Sequence, residues 1–88
     1  MATWVRSQKV LFSSLENELI MMDVDGGYYH GTNEVGKRIW ELLEHTTTLD
    51  TICKQLLEEY DISEEECKKY TQQFLDDLDK KGLVVSAS

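Results

Sequence analysis

The chain has 88 residues, a net charge of −8 and an apolar share of 41%. That length sets one domain, residues 1–88, with a modest core, and the apolar share is that of a folded unit rather than a disordered tail. The charge repels phosphate backbones, no apolar run reaches membrane-spanning length, and the N-terminus lacks the basic-then-apolar form of a signal peptide; no nucleic acid and no membrane are expected as partners, and the cytoplasm is the expected compartment.

Residues 1–8 read as a loosely held lead-in anchored by Trp4. Val10–Leu15 is the first candidate strand. A turn at Glu16, Asn17 and Glu18 leads to a second strand over residues 19–24. Asp25, Gly26 and Gly27 are a strong hairpin signal, because such residues tolerate the positive φ of tight turns. Residues 28–32 then form a short third strand. Alternation places Ile20, Met22 and Val24 on one face with Tyr29 and Gly31, and Met21, Asp23, Tyr28 and His30 on the other. The first set is expected to face the core.

Thr32 and Asn33 offer an N-cap for a helix running to about residue 44. Its stripe is Val35, Ile39, Leu42 and Leu43, with Trp40 beside it. Gly36 costs about 1 kcal/mol relative to alanine inside a helix, so something is expected to pack close against it. The second helix, residues 49–60, carries Leu49, Ile52, Cys53, Leu56, Leu57 and Tyr60 at helical spacing. The third, residues 63–81, opens on a capping box of Ser63 and Glu66. Its stripe is Cys67, Tyr70, Phe74, Leu75 and Leu78, with Thr71 between them. Gly82 supplies a left-handed stop, and Leu83 folds back on the helix. Leu83 to Val85 pack or add a short strand, and residues 86–88 fray. Cys53 and Cys67 read as buried free thiols.

The order predicts an α+β fold: a three-stranded antiparallel β-meander followed by three helices, winged helix-turn-helix-like. His30 and His45 lack metal-ligand spacing, and there is no nucleophile elbow, phosphate-binding glycine loop or dinucleotide fingerprint. No metal, no cofactor and no enzymatic activity are expected. What remains is an edge. The third strand pairs with the second on one side, and its other side carries neither proline nor lysine to block it. If the third helix lies along that edge, an extended peptide can add a fourth strand in the groove between them. A second copy of the chain could use the same edge, so the expected state is a monomer or weak homodimer.

The run over residues 23–36, ending at Ile39 and Trp40, resembles the D-x3-G-x-Y-x3-N-x2-G-x3-W pattern of PqqD-like proteins. More narrowly, it is similar to the stand-alone B1 proteins of lasso-peptide biosynthesis. The second half fits as well, with a T-L-x-x-I-x-x-x-L-x-x-x-Y helix and then a helix ending Phe74-Leu75-x-x-Leu78 before Gly82-Leu83. The resemblance implies a recognition element for ribosomally made, post-translationally modified peptides (a RiPP recognition element). Such an element binds the leader segment of a precursor peptide as an added strand between the third strand and the third helix. It delivers that leader to a B2-type leader peptidase and to an ATP-dependent macrolactam synthetase, the lasso cyclase. Carried over by position, Tyr28, Tyr29, His30, Gly31 and Thr32 are the pairing edge, and Cys67, Lys68, Tyr70, Thr71 and Phe74 are the helix wall. Thr32 stands where the pattern usually has leucine, and Tyr70 where an acid is common. Two alternatives share the helix order. One is a PqqD-type peptide chaperone for a radical enzyme. The other is a winged-helix DNA-binding regulator, which four lysines against six acids over residues 63–81 disfavour.

Overall fold

The computed structural model describes residues 2–16, 18–24 and 29–87, with the backbone alone at Leu15, Asp23, Tyr29 and His30. In chain order it contains β1 (Thr3–Arg6), β2 (Val10–Leu15), β3 (Glu18–Asp23), β4 (Tyr29–Thr32), α1 (Glu34–Leu42), α2 (Leu49–Glu59), α3 (Glu64–Lys80) and β5 (Val84–Ala87). The meander is antiparallel in the order β2-β3-β4, and it is followed by the helices, so the α+β expectation holds. The hairpin turn read at Asp25, Gly26 and Gly27 lies outside the described residues. None of the described helices is long and apolar enough to cross a membrane.

Side-chain caps start each helix. Asn33 accepts the Gly36 amide at 3.0 Å, Thr48 that of Thr51 at 3.2 Å, and Ser63 that of Glu66 at 3.1 Å. Each bond satisfies one of the amides a helix start leaves without a partner. α3 ends as its glycine requires. Gly82 sits at φ 73°, its amide donates to the Asp79 carbonyl at 3.1 Å, and the Leu83 amide donates to Leu78 at 2.9 Å. This double bond is the Schellman closure, and it folds Leu83 into the core. α1 stops at Leu42, short of the expected residue 44. Its last turn tightens there, with the Glu44 amide reaching back three residues to Glu41 at 3.3 Å.

The strands correct further expectations. The lead-in is a strand. β1 pairs antiparallel with β5, Thr3 opposite Ala87 and Arg6 opposite Val84, as a second two-stranded sheet. Trp4 exchanges both backbone hydrogen bonds with Thr47, at 2.7 and 2.9 Å, and its indole is buried. Ser86 and Ala87, expected to fray, belong to β5. This pairing joins the two ends of the chain, so no local pattern announces it.

The second correction concerns the meander's faces. Leu19 and Met21 are the buried residues of β3, whereas Ile20 and Val24 are 41% and 55% exposed. The core face is therefore the one carrying Met21, not Ile20, Met22 and Val24. The run Leu19-Ile20-Met21-Met22 is apolar on both faces, so alternation cannot set its phase; a one-residue error turns every side chain over. Packing in the core fixes it, and in the register Leu19 lies between Ser14 and Thr32, and Ile20 between Ser13 and Gly31.

The core joins these faces to the helices through Ile39, Trp40, Leu43, Ile52, Leu56, Leu75 and Leu78. Trp40 lies inside it rather than beside the α1 stripe. α1 and α2 are also tied at the surface, where Arg38 grips both carboxylate oxygens of Glu59 at 2.8–3.0 Å. Those hydrogen bonds hold the Glu59 carboxyl below its usual range. Cys53 and Cys67 are buried free thiols, as expected.

Candidate functional site

β4 is the last strand of its sheet. It pairs with β3 through Met22–Tyr29, Met21–His30, Ile20–Gly31 and Leu19–Thr32, and no strand among the described residues lies on its other side. The N-terminal strand is engaged with β5, so it does not occupy this edge. The chain leaves β4 through Asn33 directly into α1, which fixes the far end of the edge.

Gly36 makes that junction tight. A Cβ built on it would overlap Thr32 Oγ1 and stand 2.8 Å from Thr32 Cβ. The close packing inferred from the glycine is thus with the last residue of β4. Gly36→Ala is expected to destabilise the fold by about 1–3 kcal/mol, overpacking outweighing the gain in helix propensity. Thr32→Ala in the same chain should recover part of the loss, because it removes the overlapping oxygen. Urea unfolding of the two single variants and the double variant checks this; strictly additive changes would show that the two residues do not bear on each other.

Opposite the end of β4 runs one face of α3. Thr32 and the helix residues Tyr70, Gln73, Phe74 and Asp77 line a cleft of about 180 Å³. Positions 70, 73, 74 and 77 follow the i, i+3, i+4, i+7 rule of a single helical face. The Tyr70 and Phe74 rings are stacked, with centroids 6.3 Å apart and planes 7° from parallel. Phe74 is buried and Tyr70 is 39% exposed, so the pair grades from core to surface. The Tyr70 hydroxyl donates to Asn33 Oδ1 at 3.3 Å, the oxygen that also caps α1. One hydrogen-bonded chain therefore ties the α3 wall to the strand–helix junction. The cleft offers a stacked aromatic floor, a threonine hydroxyl, a carboxamide and a carboxylate. It suits an apolar side chain with a donor at its tip.

Of the residues expected at the site, the structure brings together Thr32, Tyr70 and Phe74. Tyr29, His30 and Gly31 lie in β4, and Tyr28 falls outside the described residues. Cys67 and Thr71, expected on the helix wall, are fully buried on the α2 side of α3. Cys67 Sγ donates to the Cys53 carbonyl at 3.8 Å, and Thr71 lies against Cys53. Burial there pushes the Cys53 thiol up to about 11, the behaviour of a packing residue rather than a reactive one. Lys68, also expected on the wall, is paired with Glu64 at 3.2 Å. It borders a separate hollow with Asp50, Cys53, Lys54 and Leu57. These three depart from the wall because the α3 stripe is wide: its Cys67–Thr71 side meets α2 and its Tyr70–Phe74 side meets the cleft. Gln73, Asp77 and Asn33 are cleft or junction residues that sequence reasoning missed. Helical spacing from Tyr70 would have found the first two.

Comparison with known proteins agrees with this arrangement. A solved structure of TbiB1 in complex with the TbiA(beta) leader peptide is 28% identical, with a TM-score of 0.83, covering 91% of this chain and 93% of that one. A lasso peptide synthetase B1 complexed with its leader peptide is 14% identical, with a TM-score of 0.79 over 93% and 96% of the two chains; at that identity the likeness speaks for the fold alone. No curated protein matches. The family described as coenzyme PQQ synthesis protein D (PqqD) matches residues 18–84, so that β3, β4, the three helices and the cleft between β4 and α3 fall within the match, and the chain belongs to the PqqD family.

Proposed function

We propose that this protein is a RiPP recognition element. It binds the leader segment of a ribosomally made precursor peptide by strand addition to the free edge of β4. The observation that carries this reading is that edge, unpaired among the described residues and backed at Thr32 by the Tyr70–Phe74 cleft. Main-chain hydrogen bonds supply much of the affinity in such a mode, and pockets for alternate side chains supply the selectivity. The similar TbiB1 structure is a complex with a leader peptide, which supports a leader peptide as the ligand here. The protein supplies no chemistry of its own in this reading. It presents the leader, in the cytoplasm, to a B2-type leader peptidase and a lasso cyclase. The family match also favours a second reading, in which the same cleft serves a radical enzyme that builds a quinone cofactor. Genes for a peptidase and a cyclase beside this one favour the first; a gene for a radical enzyme favours the second.

Titration with the leader segment of the precursor encoded alongside this gene tests the mode, followed by amide NMR. The amides of Tyr29 to Thr32 are expected to shift most, together with those around Tyr70. Saturable binding that leaves the β4 amides in place rules out strand addition.

A further inference from the structure

Gly31 is a poor choice for the strand it occupies. Glycine weakens a strand, and here neither backbone nor packing demands it. Its φ lies outside the left-handed region, and a Cβ built on it meets no atom of the described residues within 4 Å. The missing side chain leaves a hollow of about 520 Å³ on the outer face of the meander. Its lining includes Ile20, Gly31, Asn33 and the acids Glu18 and Glu34, together with Leu19 and Thr32. Ile20 is opposite Gly31 in the register and 41% exposed, so the floor is apolar and uncovered. This hollow borders the free edge of β4 on the sheet face away from α3.

We propose that the hollow over Gly31 is a second specificity pocket, which receives a large apolar or aromatic side chain from the bound peptide strand. The inference rests on the strand-addition reading and adds to it. A peptide residue paired with Gly31 projects on Gly31's own face of the sheet, outward. A residue paired with Thr32 projects on the opposite face, into the α3 cleft. The two anchors are therefore neighbours in the peptide, one entering each pocket. A bulky side chain across from a strand glycine lies over the bare backbone and reaches the next strand, here at Ile20. Glu18 and Glu34 at the rim disfavour an acidic residue in that position.

Gly31→Val is the test, because the site has room for the added atoms and a β-branched residue suits a strand. The variant is expected to melt at or above the wild-type temperature. The probe is the fluorescein-labelled leader segment encoded alongside this gene, together with its single-alanine series. Gly31→Val is expected to weaken binding roughly tenfold, as loss of a buried anchor does. That penalty should shrink for one alanine-substituted peptide, adjacent to the position whose loss matters most at the α3 cleft. Wild-type affinity in Gly31→Val overturns the pocket while leaving strand addition intact. A penalty that is equal for every peptide in the series also overturns it. Failure of the wild-type protein to bind the leader overturns both readings.

Discussion

Trp40→Ala is expected to lower folding stability by about 3–5 kcal/mol, the cost of truncating a fully buried tryptophan. A chain of this length has roughly 4–13 kcal/mol in total, so the variant sits near or below the folding threshold. The reason is the number of elements the indole joins. It is 1% exposed, and the Phe12 ring of β2 meets it edge-on at 5.7 Å and 74°. The Arg6 guanidinium of β1 lies over both rings, 4.9 Å from Phe12 and 5.1 Å from Trp40, and its Nε donates to the Trp40 carbonyl at 2.9 Å. Removing the indole leaves a cavity and strips one face from a cation that burial already disfavours, against the pull of Glu44 and Glu41. The indole Nε1 bonds to no described residue, so Trp40→Phe loses size but no hydrogen bond and should cost less than half as much. Guanidinium unfolding followed by far-ultraviolet circular dichroism measures both. A loss below about 1 kcal/mol in Trp40→Ala would mean that the meander and the helices do not depend on this contact.

The helices were legible in the sequence because their signals are local. Ser63, Thr48 and Asn33 cap where their side chains imply, and Gly82 stops α3 with the bonds its position predicts. The meander's order was legible for the same reason, but its phase was not. A strand with four consecutive apolar residues carries no period-2 signal, and only packing in the fold, which buries Leu19 and Met21, shows that they point inward. The β1–β5 sheet was hidden because its partners stand at opposite ends of the chain. At the site, the edge strand and the aromatic pair were legible. The division of the α3 stripe was not, because spacing shows which residues share a face but not which neighbour covers each part of it. Hence spacing puts Cys67 and Thr71 on the wall although they are buried on the α2 side, and gives no sign that Asp77 lines the cleft.

That division decides which substitution tests the site cleanly. Phe74→Ala removes a ring that is 7% exposed and part of the core, so it is expected to cost about 3–5 kcal/mol of stability, and any loss of binding is confounded with unfolding. Tyr70 offers the same cleft face without that dependence. Its ring is 39% exposed, leans on Phe74 from the solvent side, and holds Asn33 through one hydrogen bond of 3.3 Å. Tyr70→Ala should therefore change stability by less than about 1 kcal/mol. Leader affinity should fall by about 10- to 100-fold, because an aromatic at the centre of a peptide groove typically carries 1.4–2.8 kcal/mol of binding. Tyr70→Phe separates the ring from the hydroxyl. It keeps the stacked surface and releases Asn33, so affinity near wild type assigns the contribution to the ring, and a loss close to that of alanine assigns it to the strap across the junction. Anisotropy titrations with the labelled leader, each paired with a thermal melt, distinguish these outcomes. A Tyr70→Ala protein that melts normally and binds the leader within twofold of wild type would remove α3 from the binding site. Affinity would then have to come from the β4 backbone and the hollow over Gly31, and nothing on the α3 face would choose one leader over another.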